Sequence, residues 1–274
     1  MKLAFNIQSE NINPLHADLY VEIDEQGLSY IIIENGNCVA LVVYHFGIGC
    51  SDDLVSQYIH QVVTEQSVLQ QKFKKAYIIY GYAPSVLVPN EFMPESNIGA
   101  LLELVYGDSS ERITKSDYMY RQSVHNIYGV PASVDLALTR HFGTAIVSHL
   151  FSLWPGVMSN GGNQLYCIFN TSQLKVLLLK DDKIQVMQSY YYKTPEDVAY
   201  HLLNLCNSFD IGPDDVLVQL TGMIDVNSAL YSGLYKYFLQ LEFGILPNQY
   251  HYPDAVKEYP EHYFSHLFAI AACV

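Results

Sequence analysis

The sequence predicts an α/β protein of two lobes, each a mixed sheet with helices packed on it. Three observations predict this. The chain has 274 residues, more than one ordinary core organises and enough for two domains. Half of them are apolar and 15% are charged, so substantial cores can be buried. Residues 19–46 recur as residues 165–192 without a gap, at a constant offset of 146. Leu19 matches Leu165, Tyr20 matches Tyr166, Leu28 matches Leu174, Tyr44 matches Tyr190, and Ile31-Ile32-Ile33 matches Leu177-Leu178-Leu179.

Each copy reads as three strands joined by two tight turns. The first copy turns at Asp24-Glu25-Gln26-Gly27 and at Asn35-Gly36, a pair that accepts the positive φ angles of a two-residue hairpin. The second turns at Asn170-Thr171-Ser172-Gln173 and at Asp181-Asp182. A helix follows in both. Ser51 caps the first, ahead of Asp52 and Asp53, with Leu54, Val55, Tyr58, Ile59, Val62 and Val63 at helical spacing. Thr194-Pro195-Glu196-Asp197 opens the second, with proline at its favoured first position.

Next come a buried strand (residues 76–80 and 216–220), a helix (132–142 and 227–238) and a short strand (144–147 and 239–243). Both copies then reach Ser-His-Leu-Phe, at 148–151 and 265–268, in a closing helix. The offset there is 117, which predicts a 29-residue insertion in the first copy, within about residues 83–131. The predicted lobes are residues 1–160, carrying this small subdomain, and residues 161–274. The linker is Met158-Ser159-Asn160-Gly161-Gly162-Asn163.

Charge and cysteine usage exclude several classes. There are 28 acidic and 14 basic residues, a net charge of −14. The deficit is spread along the chain, whereas a nucleic-acid surface needs clustered cations. The one basic run, Lys72, Lys74 and Lys75, reads as a solvated helix end beside the negative pole. Five cysteines, at 38, 50, 167, 206 and 273, show no metal or redox spacing and read as free thiols of a reducing compartment. No signal peptide and no ~20-residue apolar span is evident, so a cytoplasmic location is expected. His262 and His266 stand four apart, but no third ligand is apparent. No metal site is predicted.

Three strands, helix, strand, helix, strand, helix, written twice, resembles the actin-like ATPase superfamily: sugar kinases, seventy-kilodalton chaperones, actin and its bacterial relatives. Val86-Leu87-Val88-Pro89 and Tyr263-Phe264-Ser265-His266-Leu267-Phe268 narrow the likeness. With them the chain is similar to a family of uncharacterised Bacteroidetes proteins that carry a domain-of-unknown-function label and an actin-like fold. The resemblance implies two ribonuclease-H-like lobes. It also implies that the first hairpin turn of each lobe cradles phosphate across an interlobe cleft, while a glycine loop of the second lobe lies against adenosine.

The residues at those places are Asp24, Gly27 and Ser29, then Asn170, Thr171 and Ser172, with Thr221 and Gly222 at the adenosine loop. Active members have Asp, then Gly, then Thr or Ser, because glycine lets backbone N–H groups approach an anion. Here Glu25 and Gln26 intervene in the first turn, and the second has neither acid nor glycine. The sequence therefore predicts a noncatalytic binding or scaffolding module with no bound cofactor and a protein as partner. The alternative is a divergent ATPase or small-molecule kinase using Asp24 with a metal and ATP, and the Gly222 loop for adenine.

Overall fold

Alternating apolar residues build a six-stranded sheet in the first part of the chain. The strands are β1 (Lys2–Gln8), β2 (Ala17–Ile23), β3 (Gly27–Glu34), β4 (Asn37–His45), β5 (Lys75–Tyr80) and β9 (Ile146–His149), in the order β1-β4-β3-β2-β5-β9. The run β2-β3-β4 is antiparallel, and β5 and β9 are parallel to β2. The computed structural model describes residues 1–94, 96–107, 111–157 and 161–274.

Helices α1 (Asp52–Glu65) and α3 (Ala132–His141) pack on one face of this sheet. Ser51 Oγ accepts the Leu54 amide at 3.3 Å, which starts α1 as its sequence predicts. Val55, Ile59, Val62 and Val63 then point into a core with Leu19, Val21 and Ile23 of β2. Each such side chain contributes about 1.5–3 kcal/mol by leaving water.

Between β5 and α3 lies a second, antiparallel sheet of β6 (Ser85–Pro89), β7 (Arg112–Met119) and β8 (Val124–Pro131), in the order β6-β8-β7, with α2 (Gly99–Tyr106) beside it. Buried polar groups fix this insert to the main sheet. Asp117 Oδ2 accepts the His149 amide at 2.7 Å, and Asn126 bridges Ser85 and Ser152. His149 is fully buried. Its Nε2 donates to the Tyr82 carbonyl at 3.0 Å, and its Nδ1 accepts the Phe151 amide, so it caps the short helix α4 (Leu150–Leu153).

The second sheet comprises β10 (Gln164–Phe169), β11 (Gln173–Lys180), β12 (Lys183–Tyr191), β13 (Leu217–Gly222) and β14 (Gln240–Phe243), in the order β12-β11-β10-β13-β14. Helices α5 (Pro195–Ser208) and α6 (Ala229–Leu234) pack on it, followed by α7 (Asp254–Lys257) and α8 (Ser265–Ala271). The predicted opening of α5 is a full capping box between Thr194 and Asp197.

Apart from β1, which has no counterpart in the second sheet, the two sheets repeat one strand order. Register shifts fall between Ile32 and Ile33 and between Leu178 and Leu179, so Val39 and its counterpart Gln185 are the extra residues. Asn35 and Gly36 have φ of 50° and 80°, and Asp181 and Asp182 have 50° and 61°. Both are turns with positive φ at the two central positions.

Chain contacts gather Met1–Pro155 with Gln249–Val256, and Gly156–Asn248 with Lys257–Val274. The sequence-based junction at 160/161 differs, and three of its linker residues, Met158, Ser159 and Asn160, lie outside the described residues. Gln249–Val256 joins the first unit through backbone bonds: the Cys38 amide donates to the His251 carbonyl, and the His251 amide to the Gly36 carbonyl.

The 29-residue insertion needs correction. In register, Tyr20 pairs with Tyr77 and Tyr77 with Ile146, while Tyr166 pairs with Gln219 and Gln219 with Glu242. These spacings of 69 and 23 residues make the insertion 46 residues long. The second copy of the repeat offsets part of it with extra chain after β14, a stretch that includes Gln249–Val256 of the first unit. The repeated Ser-His-Leu-Phe also sits on unlike backbone, because Ser148 and His149 end β9 whereas Ser265 opens α8.

Candidate functional site

The turn between β2 and β3 is closed by its own side chain. Asp24 Oδ1 accepts the amides of Gln26 at 2.7 Å and Gly27 at 3.0 Å, while the Asp24 amide donates to the Gly27 carbonyl at 3.1 Å. Asp24 is buried. Two N–H groups that a phosphate loop would turn outward are thus held by the loop's own carboxylate. Glu25 Oε1 accepts the Ala83 amide at 2.9 Å, tying the turn to the start of the insert. Gly27 answers to sheet packing, since a Cβ there would lie 2.3 Å from the Tyr44 carbonyl oxygen. Ser29 is not in the turn. It lies within β3, paired with Glu22 and Val43.

Carboxylates dominate the field at this turn. The buried Tyr82 phenol is pushed far above its ordinary range by burial and then by Glu25, Asp24 and Asp52. His45 is lowered chiefly by burial, with Asp24 acting against that shift and Lys2 adding to it. Triphosphate brought here would meet like charge in a partly dry setting.

In the second unit the corresponding turn keeps the backbone and changes the side chains. The Asn170 amide donates to the Gln173 carbonyl at 2.8 Å, as Asp24 does to Gly27. The Tyr192 amide donates to the Ser172 carbonyl, as the Phe46 amide does to Gln26. Thr171 is exposed at the tip. The Tyr192 hydroxyl donates to the Asn170 carbonyl at 2.6 Å, and burial pushes this phenol up to about 12. Sequence reasoning passed over Tyr192, although its place is that of Phe46 in the repeat, and passed over Glu25 as an anchor.

Thr221 and Gly222 lie beside this second turn. Thr221 Oγ1 donates to the Cys167 carbonyl at 2.9 Å, so the hydroxyl is committed to the neighbouring strand. Gly222 has φ +80°, and a Cβ there would stand 2.4 Å from the Phe169 carbonyl oxygen, which also accepts the Met223 amide at 2.7 Å. The glycine is therefore required by strand approach and by a left-handed turn. Ser228 caps α6 by accepting the Tyr231 amide, and Asp225 Oδ1 accepts the Asn227 amide.

His262 is buried in a 3-10 turn, donates Nε2–H to the Ile224 carbonyl at 2.7 Å and stacks on Phe243. His266 stands in α8, so the pair does not share one helix. Among the described residues no group of three or more His, Cys, Asp or Glu is arranged to hold a metal ion, and no helix is long and apolar enough to cross a membrane.

A protein-family model described as "Protein of unknown function (DUF3822)" matches residues 8–241. Among proteins with curated descriptions, none matches the chain. The fold is similar to a Bacteroides thetaiotaomicron protein of actin-like ATPase fold and unknown function, with a TM-score of 0.77 at 16% identity over 95% of this chain and 97% of that one. It is also similar to a solved PilM–PilN complex of type IV pilus biogenesis, with a TM-score of 0.60 at 13% identity over 95% and 97%. A third is the ethanolamine utilization protein EutJ of Carboxydothermus hydrogenoformans, with a TM-score of 0.53 at 10% identity over 97% and 93%. At these identities the likeness shows the fold, which is that of the actin-like ATPases.

Proposed function

Because the chain belongs to the DUF3822 family and has the actin-like ATPase fold, we propose that it is a noncatalytic member of that architecture, a binding module for another protein. The observation that carries the reading is the engagement of Asp24 by the amides of Gln26 and Gly27. Oδ1, holding these amides, is not open to a metal ion or an attacking water, and the amides it holds are not offered to phosphate. The side chains at the second turn and the packing of Gly222 against Phe169 support the same reading. ATP with magnesium is thus not expected as a cofactor. The PilM–PilN structure supports the idea of a protein partner only as an instance of this fold within a protein complex. We read the matched registers as the trace of a duplication, and place the protein in the cytoplasm.

Calorimetric titration with ATP and magnesium tests the reading. No binding heat is expected up to millimolar ligand. Micromolar binding that disappears in Asp24→Ala would overturn it in favour of a divergent nucleotide-binding protein.

A further inference from the structure

The run Lys72-Phe73-Lys74-Lys75 has a place in the fold that its sequence reading did not supply. Helix α1 ends at Glu65, and a 3-10 turn at Ser67–Gln70 follows. The lysines therefore stand beyond the last turn of α1, where its negative pole has faded. Phe73 is buried and anchors the segment, and the Lys74 amide donates to the carbonyls of Pro14 and Ala17 at 3.0 Å each. The three ammonium groups are held on the outside of a fixed backbone. None has a carboxylate within ion-pair distance among the described residues, although Asp18 is registered beside Lys75.

They line a cavity of about 650 Å³ together with His141 at the end of α3, Thr144, and Ile146 at the start of β9. Three of the chain's 14 Lys and Arg residues thus fall within four positions of its lining, in a molecule of net charge −14. They form a local positive patch on an acidic molecule.

The lining distinguishes between anions. A single phosphate is best met by a planar arginine fork or by successive free N–H groups. Here the Gln71 amide is bonded to Val68, and the Lys74 amide to Pro14 and Ala17. Lysines are mobile point charges that suit carboxylates spread along a chain. Ile146 is 53% exposed and adds an apolar contact. The groove is also at the far end of the sheet from the Asp24 turn, because β2 and β5 are parallel and Lys75 begins β5 whereas Asp24 follows β2, about 20 Å along the strands.

We propose that this groove docks an acidic segment of a partner protein, with several carboxylates flanking an apolar side chain. The assignment rests on the reading of the chain as a protein-binding module and gives that module a surface.

The test is fluorescence anisotropy with a labelled peptide of four Glu-Glu-Leu repeats. Micromolar binding that weakens with salt is expected, with at least a tenfold loss in K72E/K74E. The control K183E/K236E makes the same change in net charge elsewhere and should bind as the parent does. K72Q/K74Q, which adds no acid, should show an intermediate loss, and thermal melts of all three variants check that they fold. No binding by the parent, or equal loss in variant and control, overturns the groove. Displacement of the peptide by tripolyphosphate at lower concentration than by unlabelled peptide also overturns it, in favour of a phosphate ligand. Calorimetry with ATP and magnesium on the same samples judges the noncatalytic reading separately, so each can fail alone.

Discussion

Lys115 Nζ lies 3.1 Å from Asp135 Oδ1, so strand β7 of the insert and helix α3 of the first unit share an ion pair. The same oxygen accepts the Tyr80 hydroxyl at 2.8 Å, and Tyr80 is fully buried. Asp135→Ala should lower stability by about 1–3 kcal/mol, mainly because it strands the Tyr80 hydroxyl. Lys115→Met should cost less than about 1 kcal/mol, since the lysine is partly solvated. Urea unfolding of both variants checks the order. Equal losses would shift the weight to the ion pair.

Gly222→Ala should destabilise the protein by about 2–4 kcal/mol, because the new Cβ collides with Phe169 backbone at positive φ. The loss should be the same with or without nucleotide. A melting temperature near that of the parent would remove the structural explanation of this glycine.

Burial lowers the pKa of His262, with the Ile224 carbonyl and Asp225 acting in the opposite direction. The unfolded chain therefore takes up this proton first as pH falls below about 6.5, and stability drops with it. His262→Gln keeps a donor for Ile224 and should flatten that part of the profile between about pH 5 and 7. His45 and His141 are lowered too and should keep their share of the slope. Denaturant midpoints read across this range decide the matter, and an unchanged slope in the variant would exclude His262 as a contributor.

The five cysteines are thiols outside any disulfide. Cys273 is exposed and Cys50 half-buried, while burial raises Cys38, Cys167 and Cys206, the last to about 11. Thiol titration at pH 8 should modify Cys273 first, then Cys50, and reach the other three only in denaturant. Rapid native labelling of Cys167 or Cys206 would mean that the second core opens readily.

Much of this was legible in the chain because backbone and pattern agree. The offset of 146 predicted both hairpin turns, and the structure places positive φ at Asn35, Gly36, Asp181 and Asp182. The caps at Ser51 and Thr194 were visible because capping needs only local chemistry. The size of the insert was not, since two insertions of opposite effect partly cancel in a sequence offset. The composition of the Asp24 turn was readable. The direction in which its carboxylate points was not, because Asp followed by amides two and three residues on suits both a self-closed turn and an open one. The lysine run was equally plain in sequence, but Ile146, which lines the same cavity, lies far along the chain from it.

The return of Gln249–Val256 to the first unit restricts how the gene can be dissected. Truncation after Pro155 leaves behind the strip that satisfies the Cys38 amide and the Gly36 carbonyl, so such a fragment carries raw hydrogen-bonding groups beside its second hairpin. A faithful half-molecule would need those eight residues grafted back, and library screens that tile the gene into contiguous pieces will undercount interactions made by this part of the protein.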